Sequence, residues 1–233
     1  MKRLTITLVS ILFLFMTSRA GEKDSISLKN YNTLLVSGNF VIKLKQGDKP
    51  FLTIDYGDVP SDRITIEVIN GQLKIETSGN LFSSTSQTPA TIDLTFKTIK
   101  EINCSAGASI VSNESIKADN LSLIAKYGGS INLSTQASFL ESKATQGSLI
   151  TLSGTVKSID FKSHTGGVIN AKNLISQEAK ASAHTGGKVN ISVSQKLTAE
   201  AGTGGTIYYT GDPNKTSIKE DLGGKITSED SSN

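Results

Sequence analysis

From Ser105 to the C-terminus, apolar and polar residues alternate, and glycine-bearing corners interrupt the alternation at near-regular intervals. The corners read Ser105-Ala-Gly-Ala-Ser-Ile110, Lys126-Tyr-Gly-Gly-Ser-Ile131, Thr145-Gln-Gly-Ser-Leu-Ile150, His164-Thr-Gly-Gly-Val-Ile169, His184-Thr-Gly-Gly-Lys-Val189, Gly202-Thr-Gly-Gly-Thr-Ile207 and Asp221-Leu-Gly-Gly-Lys-Ile226. Their leading glycines, Gly107, Gly128, Gly147, Gly166, Gly186, Gly204 and Gly223, are 21, 19, 19, 20, 18 and 19 residues apart. Three positions after each glycine stands a β-branched residue, and two further on a mostly apolar one, with a mostly polar residue between them. Upstream the same parity holds: Leu121, Leu140, Ile159 and Leu197 seven before; Ile102, Leu123 and Phe161 five before; Cys104, Ala125, Ala144, Ala183 and Ala201 three before. A period of two marks half-buried strands, and self-similarity near twenty residues marks a solenoid. The pattern predicts an all-β parallel β-helix, or β-solenoid, of about seven coils over residues 99–227.

Glycine suits such a corner because it accepts positive φ and lets stacked backbones approach. The leading glycines are therefore expected to need positive φ or to lack room for a Cβ. The last coil is polar, with Glu220 in a column otherwise small or apolar, and residues 228–233 form a polar tail. Residues 26–98 are β-rich without the period. Short alternating runs occur at Leu34–Val36, Phe40–Leu44 and Phe51–Tyr56, and Asn70-Gly71 joins two more, which is a hairpin signal. Ser78–Thr91 reads as a flexible loop. This region is expected to form a β-rich cap over the N-terminal end of the solenoid, covering an edge that would otherwise recruit another chain.

Residues 1–20 read as a signal peptide: Lys2 and Arg3 precede the apolar run Leu4–Met16, and Ser18-Arg-Ala20 offers small residues for cleavage. The apolar run is shorter than the roughly 20 residues of a membrane span, and no Cys follows it to accept a lipid. The whole sequence has 24 basic and 21 acidic residues. Losing Lys2, Arg3 and Arg19 would leave 21 against 21, so a basic patch for nucleic acid has no support. Cys104 is the sole cysteine and reads as a small buried residue.

The run Leu35-Val-Ser-Gly-Asn-Phe-Val-Ile-Lys-Leu44, followed by Gln46-Gly-Asp48, Asn70-Gly-Gln-Leu-Lys-Ile75 and serial Gly-x-Ile/Val-Asn coils (Gly129–Asn132, Gly167–Asn170, Gly187–Asn190), resembles the head GIN domain family. Ile207-Tyr-Tyr-Thr-Gly-Asp-Pro213 is similar to a late element of that family, and the likeness spans about Ile26 to Ile226. The family is described as putative auto-transporter adhesins, common among secreted proteins of Bacteroidota. The resemblance implies an exported β-solenoid and supplies no catalytic site.

Three constellations invite chemistry. His164 and His184 share a column and should stack on adjacent coils. A metal would want further ligands, and Thr145 and Gly202 flank the pair, so no metal or other cofactor is expected. Glu101, Glu141 and Asp160 share another column, with Ser122 at the intervening step and Lys143 and Lys162 nearby. Glycoside chemistry needs two carboxylates facing one cleft, but this column reads as a solvated face of alternating charge. Coil arginines, tryptophans and long walling loops are absent from the sequence. Asn132, Thr151, Asn170, Asn190 and Tyr208 form an outward polar row: either an amide ladder or a surface for an extended polymer, with Tyr208 offering a stacking ring. The reading is an exported, non-enzymatic binding, adhesion or envelope-structural module in periplasm, at the cell surface or outside. Its expected partner is a surface glycan or envelope protein. The alternative is a polysaccharide lyase or hydrolase on the same scaffold.

Overall fold

The computed structural model describes residues 23–78 and 88–229. The signal-peptide segment and the last residues of the tail lie outside them. Four elements open the chain: β1 (Asp24–Ser27), β2 (Thr33–Ser37), β3 (Phe40–Gln46) and β4 (Phe51–Asp55). A single 3₁₀ turn, Ser61–Arg63, precedes β5 (Ile64–Ile69), β6 (Gln72–Thr77), β7 (Ala90–Phe96) and β8 (Glu101–Ser105). The long strands follow: β9 (Ser109–Lys126), β10 (Ser130–Thr145), β11 (Leu149–His164), β12 (Val168–His184) and β13 (Lys188–Gly202). Shorter ones close the chain, β14 (Thr206–Thr210), β15 (Lys215–Glu220) and β16 (Lys225–Ser228).

Each long strand wraps from one corner to the next and pairs in parallel with its neighbours, so the chain is an all-β parallel solenoid of about seven regular coils. The alternation read from sequence is the inside–outside pattern of the coil. Ile110, Ile131, Ile150, Ile169, Val189 and Ile207 are all fully buried and stacked in register. Leu121, Leu140, Ile159 and Leu197 form a second buried column. Each such side chain contributes about 1.5–3 kcal/mol, which no isolated coil could collect. Each coil also bends midway, where Ile116, Thr135, Val156, Leu174 and Val193 point inward. The insertions that make the period uneven fall at this second bend, where the register shifts between Asn132 and Ser134, between Thr151 and Ser153 and between Ala171 and Ile175. The flat stretches stay in step.

Residues 26–98 do not form a cap alone. Strands β2 and β3 pair in parallel with β8 and β9, and β6 and β7 pair in parallel with β2 and β3. They add two coils, stacked out of sequence order, and extend the core columns: Ile92, Ile42 and Ile110 align, as do Leu73, Leu34 and Ile102. Only β5, laid antiparallel on β6, and β4 with β1, laid antiparallel on β7, cover the end. The corner signal is missing there because β2 turns through Gly38-Asn39, whereas residues 78–89 intervene between β6 and β7. The expected Ser78–Thr91 loop lies mostly outside the described residues, and its last residues are strand, since Ala90 pairs with Phe40. The Asn70-Gly71 hairpin is present, with φ of 51° and 77° at its two residues.

Candidate functional site

Every regular corner is a tight turn with two successive left-handed residues. The seven leading glycines have φ between 70° and 82°. The residue before each, Ala106, Tyr127, Gln146, Thr165, Thr185, Thr203 or Leu222, is also left-handed, at 46–55°. A bond from the residue after the glycine closes the turn, as in Gly167 N–H to the His164 carbonyl at 2.9 Å. Threonine rarely adopts this backbone; neighbouring corners hold it there, for Gly147 N–H donates to the Thr165 carbonyl and Gly166 N–H to that of Thr185. The expectation for the leading glycine, positive φ or no room for a Cβ, is met by φ, since a Cβ on Gly166 meets nothing within 4 Å. The crowded position is the next one. A Cβ on Gly167 would lie 2.3 Å from the Ala144 carbonyl oxygen, and Gly129, Gly187, Gly205 and Gly224 are as tight.

The corner separates two flat faces. One carries Glu141, Asp160 and Lys162 and is called the charged face. Glu141 and Asp160 are paired neighbours across β10 and β11. Lys162 lies between them, 3.1 Å from Glu141 and 3.5 Å from Asp160, and Lys180 approaches Asp160 at 3.8 Å. Both carboxylates are thus turned to lysines rather than to a cleft, and their pull keeps the Lys162 ammonium above its ordinary pKa, the Glu141 hydrogen bond first. Glu101 accepts a hydrogen bond from the Asn103 amide and stands two coils away, across Ser122. The column predicted from sequence is therefore brought together, as an ion-paired surface.

His164 and His184 meet as expected, their rings stacked 5.4 Å apart and 9° from parallel. Gly202 makes room for the pair, since a Cβ there would sit 3.0 Å from His184 Nδ1. Partial burial, then His184, Lys143 and Lys162, push the His164 pKa down. Among the described residues no group of three or more His, Cys, Asp or Glu is placed to hold a metal ion. Cys104 is buried, and burial pushes its thiol up to about 12.

The other face, called the amide face, carries Asn132, Thr151, Asn170, Asn190 and Tyr208 in one continuous register. Ser130, Leu149 and Val168 run alongside in the adjacent outward column. Leu149 is 43% exposed, and no charged residue occupies either column between Ser109 and Asn170. Asn190 is 7% exposed, and the buried Oδ1 atoms of Asn170 and Asn190 accept no hydrogen bond. The two amides are paired in register without bonding oxygen to amide, so the expected ladder does not form at this step. Tyr208 departs from expectation too, because Lys188 Nζ lies 4.9 Å from its ring centroid and covers one ring face. A surface cavity of about 730 Å³ lies elsewhere, lined by Lys100, Lys117 and Asp119 among others. It contains none of the residues singled out from sequence.

A family model described as putative auto-transporter adhesin, head GIN domain, matches residues 30–213. Solved structures share the fold. A putative adhesin from Bacteroides fragilis superposes with a TM-score of 0.79 at 20% identity, covering 89% of this chain and 96% of that one. A putative adhesin from Parabacteroides merdae gives 0.68 at 16% identity, covering 86% and 95%. A protein from Parabacteroides distasonis titled a putative lipid binding protein gives 0.63 at 20% identity, covering 89% and 97%. No curated protein matches. At these identities the structures speak for the fold alone. No helix among the described residues is long and apolar enough to cross a membrane.

Proposed function

The chain belongs to the head GIN domain family, described as putative auto-transporter adhesin, and from that premise we propose that it is an exported, non-enzymatic binding module whose amide face docks an extended neutral glycan. The observation that carries this reading is the row itself: Asn132, Thr151, Asn170, Asn190 and Tyr208 stand in register on successive coils. A polar row beside exposed Leu149 and half-buried Val168 suits a polymer that offers hydroxyls on its edges and C–H groups on its faces. Repetition at about 4.8 Å per coil lets many weak contacts add. Export is supported by the Lys2-Arg3 and Leu4–Met16 leader pattern. The charged face offers a catalytic reading little, because Lys162 and Lys180 already occupy its carboxylates.

The test is a polysaccharide array probed with the chain lacking residues 1–20, run beside the double variant Asn170→Ser, Asn190→Ser. Neutral glycans should bind the parent and lose about tenfold in affinity to the variant, with the melting temperature nearly unchanged. A variant that melts earlier yet binds as well as the parent would reduce the row to a structural feature.

A further inference from the structure

The charged face holds cations that its own carboxylates do not absorb. Lys162 is taken by Glu141 and Asp160, and Lys219 by Glu200 and Asp221. Lys126 and Lys143 have no ion pair among the described residues; Lys126 has only a distant contact, 5.9 Å, to the Tyr127 ring. These two lysines line an open groove of about 470 Å³ with Ile124, Thr145, Gln146 and Thr165, beside the corners. Thr145 pairs in register with His164, and His164 with His184. Basic side chains thus stand on four successive coils, Lys126 on β9, Lys143 on β10, His164 on β11 and His184 on β12, with Lys143 two residues from the histidine column and in register with Lys162. Three coil steps of about 4.8 Å make a row roughly 14 Å long, more than one small anion can bridge.

We propose that this groove binds a strand of acidic polysaccharide, with successive carboxylate or sulfate groups set against Lys126, Lys143 and the His164–His184 pair. This site is separate from the amide face and stands or falls independently of it. The charged groups that act on His164 are His184, Lys143 from β10 and Lys162 from β11, and the acids in the neighbouring outward columns are Glu141, Asp160 and Glu200. These acids are engaged by Lys162, Lys180 and Lys219. Partial burial first, and then the neighbouring His184, Lys143 and Lys162, oppose protonation of His164. An anion laid beside the ring reverses that balance and favours the imidazolium. Binding should therefore strengthen as pH falls, the lysines holding the strand at all pH values and the histidines adding charge in acid.

The experiment uses the whole chain without residues 1–20 and three probes: polygalacturonate for carboxylates, dextran sulfate for sulfates and plain dextran as the neutral control. Affinities are measured at about pH 5.5 and about pH 8, on either side of the imidazole pKa. We expect at least one polyanion to bind about tenfold more tightly in acid, and the probe that does so identifies the anionic group. The imidazole C–H resonances of the only two histidines should shift on binding. Lys126→Ala with Lys143→Ala should lose about tenfold at both pH values without a change in melting temperature. His164→Gln with His184→Gln should keep the neutral-pH affinity and lose the pH dependence. Failure of both polyanions to bind, equal binding of plain dextran, or an unaltered affinity in the lysine double variant would each overturn the site.

Discussion

The two flat faces of this solenoid are made from the same coils, and they differ in how they use polar atoms. On the charged face, polar groups are spent on one another: Lys162 bridges Glu141 and Asp160, and Lys219 bridges Glu200 and Asp221. On the amide face neighbours do not bond to one another, and Asn170 and Asn190 leave buried oxygens without donors, as Asp160 Oδ1 does on the charged face. An unsatisfied buried acceptor costs about 1–3 kcal/mol, whereas an exposed ion pair returns about 0–1 kcal/mol. Two such acceptors lie on the amide face and one on the charged face, where the ion pairs of Asp160 offset it. Cross-strand pairing explains how both can coexist, because outward columns on opposite faces never touch, and only the shared corner couples them.

That corner is the place to break the comparison outright. Gly167→Val would drive a Cβ into the Ala144 carbonyl at 2.3 Å, where nothing flexible can yield. We expect a loss above about 4 kcal/mol and collapse of both faces together. Gly166→Ala faces open space and pays only for its φ of 70°, about 1–2 kcal/mol. Chemical denaturation of the two variants decides the matter; equal losses would mean that stacking contact does not set the corner. Thr165 is unsuitable as a reference because it is itself left-handed.

A smaller effect sharpens the contrast between the faces. Asn170→Asp places a charge in a column with only Thr151 and Asn190 as paired neighbours and should cost about 2 kcal/mol at neutral pH. The loss should fade in acid as the new carboxyl protonates. Lys162→Gln on the charged face should cost less than about 1 kcal/mol and shrink further with added salt. If the lysine change is the more damaging under the same denaturant titration, the ion pairs rather than the apolar columns hold the coils in step.

Much of this was legible in the sequence because a solenoid repeats its own evidence. The Ile110–Ile207 column, the His164–His184 stack and the outward amide row all follow from counting outwards from one glycine. What stayed hidden depends on contacts between coils that spacing does not encode. The crowding at Gly167 arises from the coil beneath it, and the strained Thr165 is held because its carbonyl accepts from Gly147 N–H of the preceding corner. The two N-terminal coils escaped detection because β2–β3 inserts between β6–β7 and β8–β9, an order no linear period reveals. Likewise the unspent amides could not be told from a ladder, since a column of asparagines has the same sequence either way.

The smallest expected effect is the pH dependence of the histidine stack, and it tests whether the charged face is cationic near the corner. Partial burial first, and then His184, Lys143 and Lys162, hold the folded-state pKa of His164 below its ordinary 6.5. Between the folded and unfolded values, the unfolded chain binds more protons at this site than the native one, so stability rises with pH across that window. The contribution is fully present above the unfolded value and is lost as pH falls through the folded one. Asp58, whose carboxyl is held low chiefly by the Thr88 backbone N–H, titrates in a lower, separate window. His164→Gln should therefore flatten the stability curve between about pH 7 and about pH 5, leaving the acid limb below it unchanged. Lys143→Ala should move the curve in the same direction but less far, by removing one of the cations that oppose protonation. Superimposable curves for the parent and His164→Gln would show that solvent screens the stack completely, and the charged face would then be neutral in effect where the geometry makes it basic.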